Sequence, residues 1–253
     1  MVLDLFRLDG RSAIVTGASR GLGESVALGL AEAGADIVLV GRSDGLDETK
    51  QKIEKLGRKA IAVRADLAKM ESIEKVMSAA LAAFGKVDIL VNNAGMVRRA
   101  PALEYTEKDW DDVVNLNLKS CFFMAQAAAR DMVKRKKGKI VNIASITFFW
   151  GATRIPAYAA SKAGVTQFTK SLCNELASEG INVNAVAPGY MATEINKDLR
   201  SDPAKSAELL SRIPAGRYGH PDELKGLVVY LASEASNYMN GSTVVIDGGW
   251  MAR

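Results

Sequence analysis

The 253-residue sequence contains few of the residues that build disulfide scaffolds, metal centres or membrane spans. Its two cysteines, Cys121 and Cys173, lie in separate alanine-rich segments without the CxxC or Cys/His spacing of a metal site. We therefore expect reduced, buried thiols and no bound metal. No apolar run approaches the roughly 18 residues that span a bilayer, and the start carries Asp4 and Asp9 where a signal peptide is basic. The sequence thus predicts a cytoplasmic protein without a membrane partner.

Positive charge is in modest excess, with a net charge of +4 and an isoelectric point near 9.0. A basic cluster lies where a helix is predicted to end and Gly138 introduces the next strand. It comprises Arg130, Lys134, Arg135, Lys136, Lys137 and Lys139. Cations at the carboxyl end of a helix stabilise its dipole and require no ligand. We therefore expect no nucleic-acid partner. The expected partner is a small-molecule substrate, and an anionic one would suit the positive net charge of the protein.

Short β-rich runs alternate with helical patterns along the chain, and no linker, repeat or low-complexity tract interrupts them. The seven runs interpreted as strands are residues 12–16, 36–40, 60–64, 88–92, 139–144, 181–186 and 243–246. Their apolar, β-branched character is typical of parallel strands that helices cover on both faces. Right-handed crossovers then favour a doubly wound sheet with ligands at the carboxyl ends of the strands. The sequence predicts an α/β fold, a single-domain Rossmann-like doubly wound seven-stranded parallel sheet flanked by helices, over residues 1–253.

Helices are predicted between these strands, at residues 22–33, 44–56, 69–84, 106–136, 157–178, 203–212 and 221–234. Glycines just past several predicted ends, such as Gly34 and Gly57, are typical helix stops. Thr106 and Asp109 form a capping pair that opens the long fourth helix. We expect a loop and helices near residues 189–215 to lie on the substrate side of the domain.

A glycine-rich turn joins the first strand to the first helix. Glycines in such a turn let the backbone approach a pyrophosphate, and the helix N-terminus supplies free amides and positive potential. The spacing differs from the commoner G-x-G-x-x-G, and the turn by itself also fits a tight turn without a ligand. Its place in a βαβ unit favours a dinucleotide site. The predicted contacts are Gly17, Ser19, Arg20, Gly21, Leu22 and Gly23.

An arginine follows the second strand, where a dinucleotide fold often carries an acidic residue for the ribose 2′-hydroxyl. Arg42 at this position, together with Arg20, would meet a 2′-phosphate. The alternative is that both are solvent-facing loop residues and that Asp44 turns inwards to bind an unphosphorylated ribose. We predict NADP(H) as the favoured cofactor, with NAD(H) as the alternative.

A tyrosine and a lysine lie four residues apart on the predicted helix that begins near residue 157. This spacing places Tyr158 and Lys162 on one helical face. A neighbouring ammonium favours the phenolate, so we expect Lys162 to lower the pKa of Tyr158 towards the range of a general acid/base. Ser145, just past a strand, could polarise a carbonyl beside them. The pair alone also fits an exposed Tyr and Lys on an ordinary amphipathic helix.

Motifs in a fixed order carry a family resemblance over essentially the whole chain. They are Thr16-Gly17-x-x-x-Gly21-x-Gly23, Asp66-Leu67, Asn92-Asn93-Ala94-Gly95, Asn117, Ser145, Tyr158-x-x-x-Lys162 and Pro188-Gly189-x-x-x-Thr193. In these positions the sequence resembles the short-chain dehydrogenase/reductase family. The resemblance implies that Tyr158 is the acid/base, that Lys162 also holds the nicotinamide ribose and that Ser145 polarises the substrate carbonyl. It further implies that Asn117 holds a water in a proton relay.

The same resemblance assigns further cofactor contacts. It places Asp66 and Leu67 at the adenine, Asn93 near the adenosine ribose, and Met191 and Thr193 at the nicotinamide carboxamide. The remaining contacts in these motifs are Ala94, Gly95, Pro188 and Gly189. A homotetramer is also implied by the resemblance.

Several segments look like sugar-acid dehydrogenases within that family, among them residues 93–99, 108–117, 187–193, 213–217 and 247–253. This implies an oxidoreductase that acts on a ketone or secondary alcohol of a deoxy sugar acid, of the 2-dehydro-3-deoxy-D-gluconate type. Such a substrate needs a cation for its carboxylate. The candidate substrate residues, besides Ser145 and Tyr158, are Arg99, Arg154, Tyr190 and Arg253. Alternatives are a reductase of gluconate or 3-oxoacyl carrier-protein substrates and, in another class, a non-catalytic dinucleotide- or RNA-binding regulator.

Overall fold

A seven-stranded parallel sheet, in the order β3-β2-β1-β4-β5-β6-β7, forms the centre of the computed structural model, which describes residues 1–252. The strands are β1 Ser12–Thr16, β2 Asp36–Gly41, β3 Ala60–Arg64, β4 Ile89–Asn92, β5 Gly138–Ile143, β6 Ile181–Pro188 and β7 Thr243–Ile246. All neighbours pair in parallel. The predicted fold class is therefore confirmed, and each strand lies within two residues of its predicted bounds.

Helices cover both faces of this sheet. They are α1 Gly21–Glu32, α2 Gly45–Lys55, α3 Glu71–Phe84, α4 Glu107–Val114, α5 Ser120–Met132, α6 Pro156–Leu176, α7 Lys197–Ser201, α8 Pro203–Arg212 and α9 Lys225–Ala232. Successive residues of β1 enter opposite cores: Val15 packs with α1, α2 and α9, whereas Ile14 packs with α3 and α5. Because alternate side chains of a strand point to opposite faces, a strand buried on both faces is apolar throughout.

The order of the strands reverses at β1, which pairs with β2 on one side and β4 on the other. A reversal of this kind opens a crevice at the carboxyl ends of the strands, where open α/β sheets bind ligands. The glycine-rich turn after β1 and the Asn93–Gly95 turn after β4 therefore become neighbours. The end of β5, which leads into Ser145, lies next in the row.

The long fourth helix is not continuous. A π-helical turn, Asn115–Lys119, separates α4 from α5, and the helical region ends with a 3-10 turn at Val133–Arg135. The Asn117 side chain bonds to the backbone of Met96 on the neighbouring loop, which holds this turn in its widened form. The predicted helical region, residues 106–136, is therefore present, with a change of helix type inside it that the sequence did not indicate. Similarly, Pro221–Leu224 is a 3-10 turn that precedes α9.

Membrane insertion can be judged from helix length and polarity. Within residues 1–252, every helix is too short or too polar to cross a bilayer.

Candidate active site

One cleft of about 1200 Å³ gathers the predicted cofactor and substrate residues at the carboxyl ends of the strands. Apart from Asn117 and Arg253, every candidate is part of its lining. Asn117 is buried behind the cleft, and Arg253 lies outside the described residues. The cofactor candidates in the lining are Gly17, Ser19, Arg20, Gly21, Leu22, Gly23, Arg42, Asp66, Leu67, Asn93, Ala94, Gly95, Tyr158, Lys162, Pro188, Gly189, Met191 and Thr193. The substrate candidates are Ser145, Tyr158, Arg99, Arg154 and Tyr190.

The glycine-rich turn has a shape that only glycine allows. Gly17 and Gly21 have φ angles of +66° and +60°, in the left-handed region. A Cβ on Gly23 would lie 2.1 Å from the Gly17 carbonyl oxygen. The backbone thus forms an open cradle at the N-terminus of α1, which fits the pyrophosphate of a dinucleotide.

Asn93 ties this turn to the turn after β4. Its Nδ2 donates to the carbonyl oxygens of Thr16, at 2.9 Å, and Gly17, at 3.3 Å. In return, the backbone N–H groups of Asn93 and Ala94 both donate to Thr16 Oγ1 at 2.9 Å. The Asn93 amide nitrogen therefore positions the turns, and a contact from this residue to the adenosine ribose stays a prediction.

Two arginines stand at the position where a 2′-phosphate would bind. Arg20 and Arg42 are exposed and line the cleft, and their guanidinium groups form no hydrogen bond or ion pair with any residue in 1–252. Asp44 instead faces away from the cleft: its carboxylate is fully exposed and lies 3.2 Å from Arg64 Nη2. The residues present therefore fit a phosphorylated ribose better than a free 2′-hydroxyl, which would need an inward carboxylate.

Ser145 and Tyr158 meet at the reaction end of the cleft. Ser145 follows β5, and its Oγ accepts a hydrogen bond from Thr147 N at 3.3 Å. Tyr158 lies in the first turn of α6, half-buried and near enough to Ser145 for the serine hydroxyl to influence its pKa. Burial raises the pKa of Tyr158, and the Ser145 hydroxyl and the charge of Arg99 oppose this shift only in part. The phenol is thus protonated at neutral pH.

Lys162 lies one helical turn after Tyr158, but its ammonium points to the backbone. Nζ donates to the Ile143 carbonyl oxygen at 2.6 Å and lies 5.8 Å from the centre of the Tyr158 ring. Burial lowers the pKa of Lys162 to about 8. The expectation that Lys162 lowers the pKa of Tyr158 is not met in this arrangement, because burial of the phenol dominates and the ammonium bonds to Ile143.

Asn117 occupies the π-helical turn behind Lys162. Its Oδ1 accepts from Met96 N at 2.8 Å, and its Nδ2 donates to Met96 O at 2.9 Å and Ser161 Oγ at 3.2 Å. The side chain therefore fixes the loop after β4 to α6. The predicted relay water at Asn117 stays a prediction.

Four cations line the outer part of the cleft, of which the sequence indicated only Arg99 and Arg154. Arg99 Nη2 donates to the Ile195 carbonyl oxygen at 3.0 Å. Lys205 and Arg212, on α8, were missed because their helix reads as an ordinary surface helix and lies far from the motifs in sequence. Only the folded chain brings α8 to the cleft.

In the part of the chain that the structure describes, no three His, Cys, Asp or Glu side chains are grouped so as to hold a metal ion.

The doubly wound sheet, the glycine cradle and the Ser145, Tyr158 and Lys162 group define a dinucleotide-dependent oxidoreductase. Residues 11–204 match the short chain dehydrogenase family. The chain belongs to this family, as the sequence resemblance indicated.

Two named relatives align with this chain over all or nearly all of its length. The chain is 53% identical over 254 residues to 2-dehydro-3-deoxy-D-gluconate 5-dehydrogenase of Escherichia coli (strain K12), with 100% of both chains covered. It is 42% identical over 247 residues to gluconate 5-dehydrogenase of Gluconobacter oxydans (strain 621H), covering 97% of this chain and 96% of that protein.

A solved structure matches equally completely. It is a gluconate 5-dehydrogenase from Burkholderia cenocepacia J2315 in complex with NADP and tartrate, with a TM-score of 0.96, 42% identity and 100% of both chains covered.

Proposed function

We propose that this chain is an NADP(H)-dependent oxidoreductase that acts on a deoxy sugar acid of the 2-dehydro-3-deoxy-D-gluconate type. The observation that carries the proposal is that Ser145, Tyr158 and Lys162 line the same cleft as the glycine cradle. The relative at 53% identity, named for this substrate, supports the sugar acid.

NADP(H) is the cofactor that the cleft suits. The unpaired guanidinium groups of Arg20 and Arg42 support a 2′-phosphate, and the Burkholderia cenocepacia relative was solved with NADP. The other cofactor residues would follow the family pattern, with Asp66 and Leu67 at the adenine and Met191 and Thr193 at the carboxamide. When bound, the nicotinamide supplies or accepts the hydride.

Tyr158 and Ser145 would handle the proton and the charge on the substrate oxygen. In reduction, the carbonyl carbon gains a hydride and its oxygen becomes negative, so the Tyr158 hydroxyl donates its proton to that oxygen. Ser145 donates a hydrogen bond to the same oxygen and stabilises the developing charge. In oxidation the steps reverse, and the phenolate accepts the proton of the alcohol.

Lys162 and Asn117 would support this transfer from behind. The Lys162 ammonium, which donates to the Ile143 carbonyl, would hold the nicotinamide ribose and assist reprotonation of Tyr158. Asn117 would fix the loop after β4 and position a relay water, as the family resemblance implies.

The whole chain, residues 1–253, would act as a single cytoplasmic domain within a homotetramer, with the segment near residues 189–215 on the substrate side. An apolar groove between the α4–α5 region and α6 supports assembly. It is lined by Val114, Leu118, Lys119, Phe122, Phe123, Gly164, Gln167, Phe168 and Ser171.

A substrate panel with both cofactors tests the proposal. The purified protein is assayed with 2-dehydro-3-deoxy-D-gluconate and gluconate plus NADP⁺ or NAD⁺, and with a 3-oxoacyl thioester plus NADPH or NADH. We expect the highest kcat/KM for the deoxy sugar acid with NADP⁺. Reaction with the thioester alone would refute the sugar acid, and a strong preference for NAD⁺ would refute the cofactor assignment.

The control for catalysis is Tyr158→Phe, which removes the hydroxyl and little else. We expect turnover to fall by roughly 10²- to 10⁴-fold, the usual contribution of a general acid. NADPH binding, followed by its fluorescence, should be retained. Unchanged turnover would instead support a role outside the acid/base chemistry.

A further inference from the structure

The four cations that line the outer cleft differ in how strongly other groups already hold them. Lys205 forms an ion pair with Asp202 at 2.7 Å, and Arg99 donates to the Ile195 carbonyl. Arg154 and Arg212 have no carboxylate partner among residues 1–252. These two side chains are therefore the cations most available to an anionic ligand.

Of these two, Arg212 is the one that other side chains hold in place. It ends α8, and its guanidinium carbon lies 4.5 Å from the centre of the Trp250 ring. Trp250 is buried, stacks on Trp150 at 5.8 Å and contacts Tyr190 at 4.9 Å. Arg154 has no comparable aromatic support, and its backbone has a positive φ of 67° in an exposed loop.

Stacking on an indole fixes the plane of a guanidinium without using its N–H donors. The donors at the edge of the Arg212 group are thus free to bind a carboxylate with two parallel hydrogen bonds. A lysine at this place would supply charge but not this fork.

Arg212 is also electrostatically connected with the reaction centre through Tyr190. Burial raises the pKa of Tyr190, and the charge of Arg212 opposes this shift only in part, while Tyr190 in turn contributes to the raised pKa of Tyr158. Tyr158, Tyr190 and Arg212 line the same cleft, so an extended sugar acid that places its reacting carbon at Tyr158 can direct its far end to Arg212.

We propose that Arg212, held flat on Trp250, binds the carboxylate at the non-reacting end of the substrate and selects sugar acids over neutral sugars. This inference rests on the proposed function, because it requires an acidic substrate. It differs from the sequence-based candidates Arg99, Arg154 and Arg253.

The test compares Arg212→Gln and Arg212→Lys with Arg200→Gln, a control on α7 outside the cleft lining. Each protein is assayed with the sugar acid and with the primary amide of the same carbon chain, which lacks the charge. Thermal midpoints and NADPH affinity establish that each variant is folded and binds cofactor.

We expect Arg212→Gln to lower kcat/KM for the acid by about 10- to 150-fold, mainly through KM, as for a lost hydrogen bond to a charged group. The value for the amide should change by less than about threefold, and Arg212→Lys should be intermediate. Arg200→Gln should match the wild type.

Equal losses for acid and amide, or an unchanged KM for the acid, would overturn the assignment of Arg212 while leaving the proposed function intact. If the wild type turns over no sugar acid at all, the proposed function fails first and the role of Arg212 fails with it.

Discussion

Two lysine side chains are buried in the part of the chain described, and they illustrate how one residue type can have opposite roles. Burial lowers the pKa of both Lys139 and Lys162 to about 8. Lys139 Nζ donates to three neutral oxygens, those of Asn182, Ser236 and Asn237, whereas Lys162 donates to the Ile143 carbonyl alone. Lys139 therefore links β5 to β6 and to the segment that follows α9, whereas Lys162 keeps N–H donors available for a ligand.

The buried ammonium of Lys162, which donates to the Ile143 carbonyl alone, should lower the free energy of unfolding. We therefore expect Lys162→Met to stabilise the cofactor-free protein while abolishing turnover. A lysine pKa lowered from 10.5 to about 8 means that the unfolded chain binds more protons between these values. The destabilisation of the folded state by the buried charge is thus complete below pH 8 and disappears as the pH rises to 10.5. At pH 7 the variant should gain about 1 to 3 kcal/mol, less the lost hydrogen bond, which urea unfolding can measure.

Lys139→Met provides the comparison for that measurement. It removes a similar charge penalty but takes a donor from the buried Ser236 and the half-buried Asn182, so we expect no gain or a loss of about 1 to 3 kcal/mol. A loss of stability in Lys162→Met at pH 7, or a gain that persists unchanged at pH 10.5, would contradict the burial penalty.

At the scale of elements, the joint between β1 and α1 depends on close backbone contacts rather than on side chains. Gly23 lies in the first turn of α1 beside the Gly17 carbonyl, and Asn93 Nδ2 would lie 2.5 Å from a Cβ at this position. Both neighbours are fixed by hydrogen bonds between the turns after β1 and β4. A side chain at Gly23 therefore cannot be accommodated without a distortion of the backbone cradle.

We expect Gly23→Ala to weaken NADPH binding by at least about tenfold, since the methyl group must displace the Gly17 carbonyl or Asn93. Titration of NADPH fluorescence measures the dissociation constant. The matched control is Gly226→Ala in α9, where a Cβ would have nothing within 4 Å. Helix propensity predicts a gain of up to about 1 kcal/mol for that control and no change in NADPH affinity. Equal affinities for both variants would show that the cradle is not the cofactor site.

Elements with a strong local signal were those that the sequence predicted well. The strands are short runs of buried apolar residues, and the motifs lie in the residues that follow them. The positions of the strands and the cleft at their carboxyl ends could therefore both be inferred. The π-helical turn at Asn117 could not, because it depends on a hydrogen bond to Met96 from another element. Burial of Tyr158 and the approach of Arg212 likewise arise from packing between distant segments, which no local pattern encodes.

At the scale of the whole molecule, the apolar groove between the α4–α5 region and α6 is the surface that we propose as the subunit contact. It has a volume of about 660 Å³, and Phe122 packs at its centre against Phe123 and Phe168. Only Lys119, Gln167 and Ser171 contribute polar side chains to its lining. Apolar surface of this kind favours association, because burial removes it from water.

We expect a double variant, Gln167→Arg and Ser171→Arg, to reduce the assembly below a tetramer. Both residues are exposed and lie one helical turn apart on α6, so two long cations would occupy the groove without disturbing the core. Asn174→Arg with Ser178→Arg is the matched control, with the same spacing and charge at exposed positions outside the groove. Native mass spectrometry at low micromolar concentration should give a tetramer for the wild type and the control. A tetramer from the groove variant would place the subunit contact elsewhere on the surface.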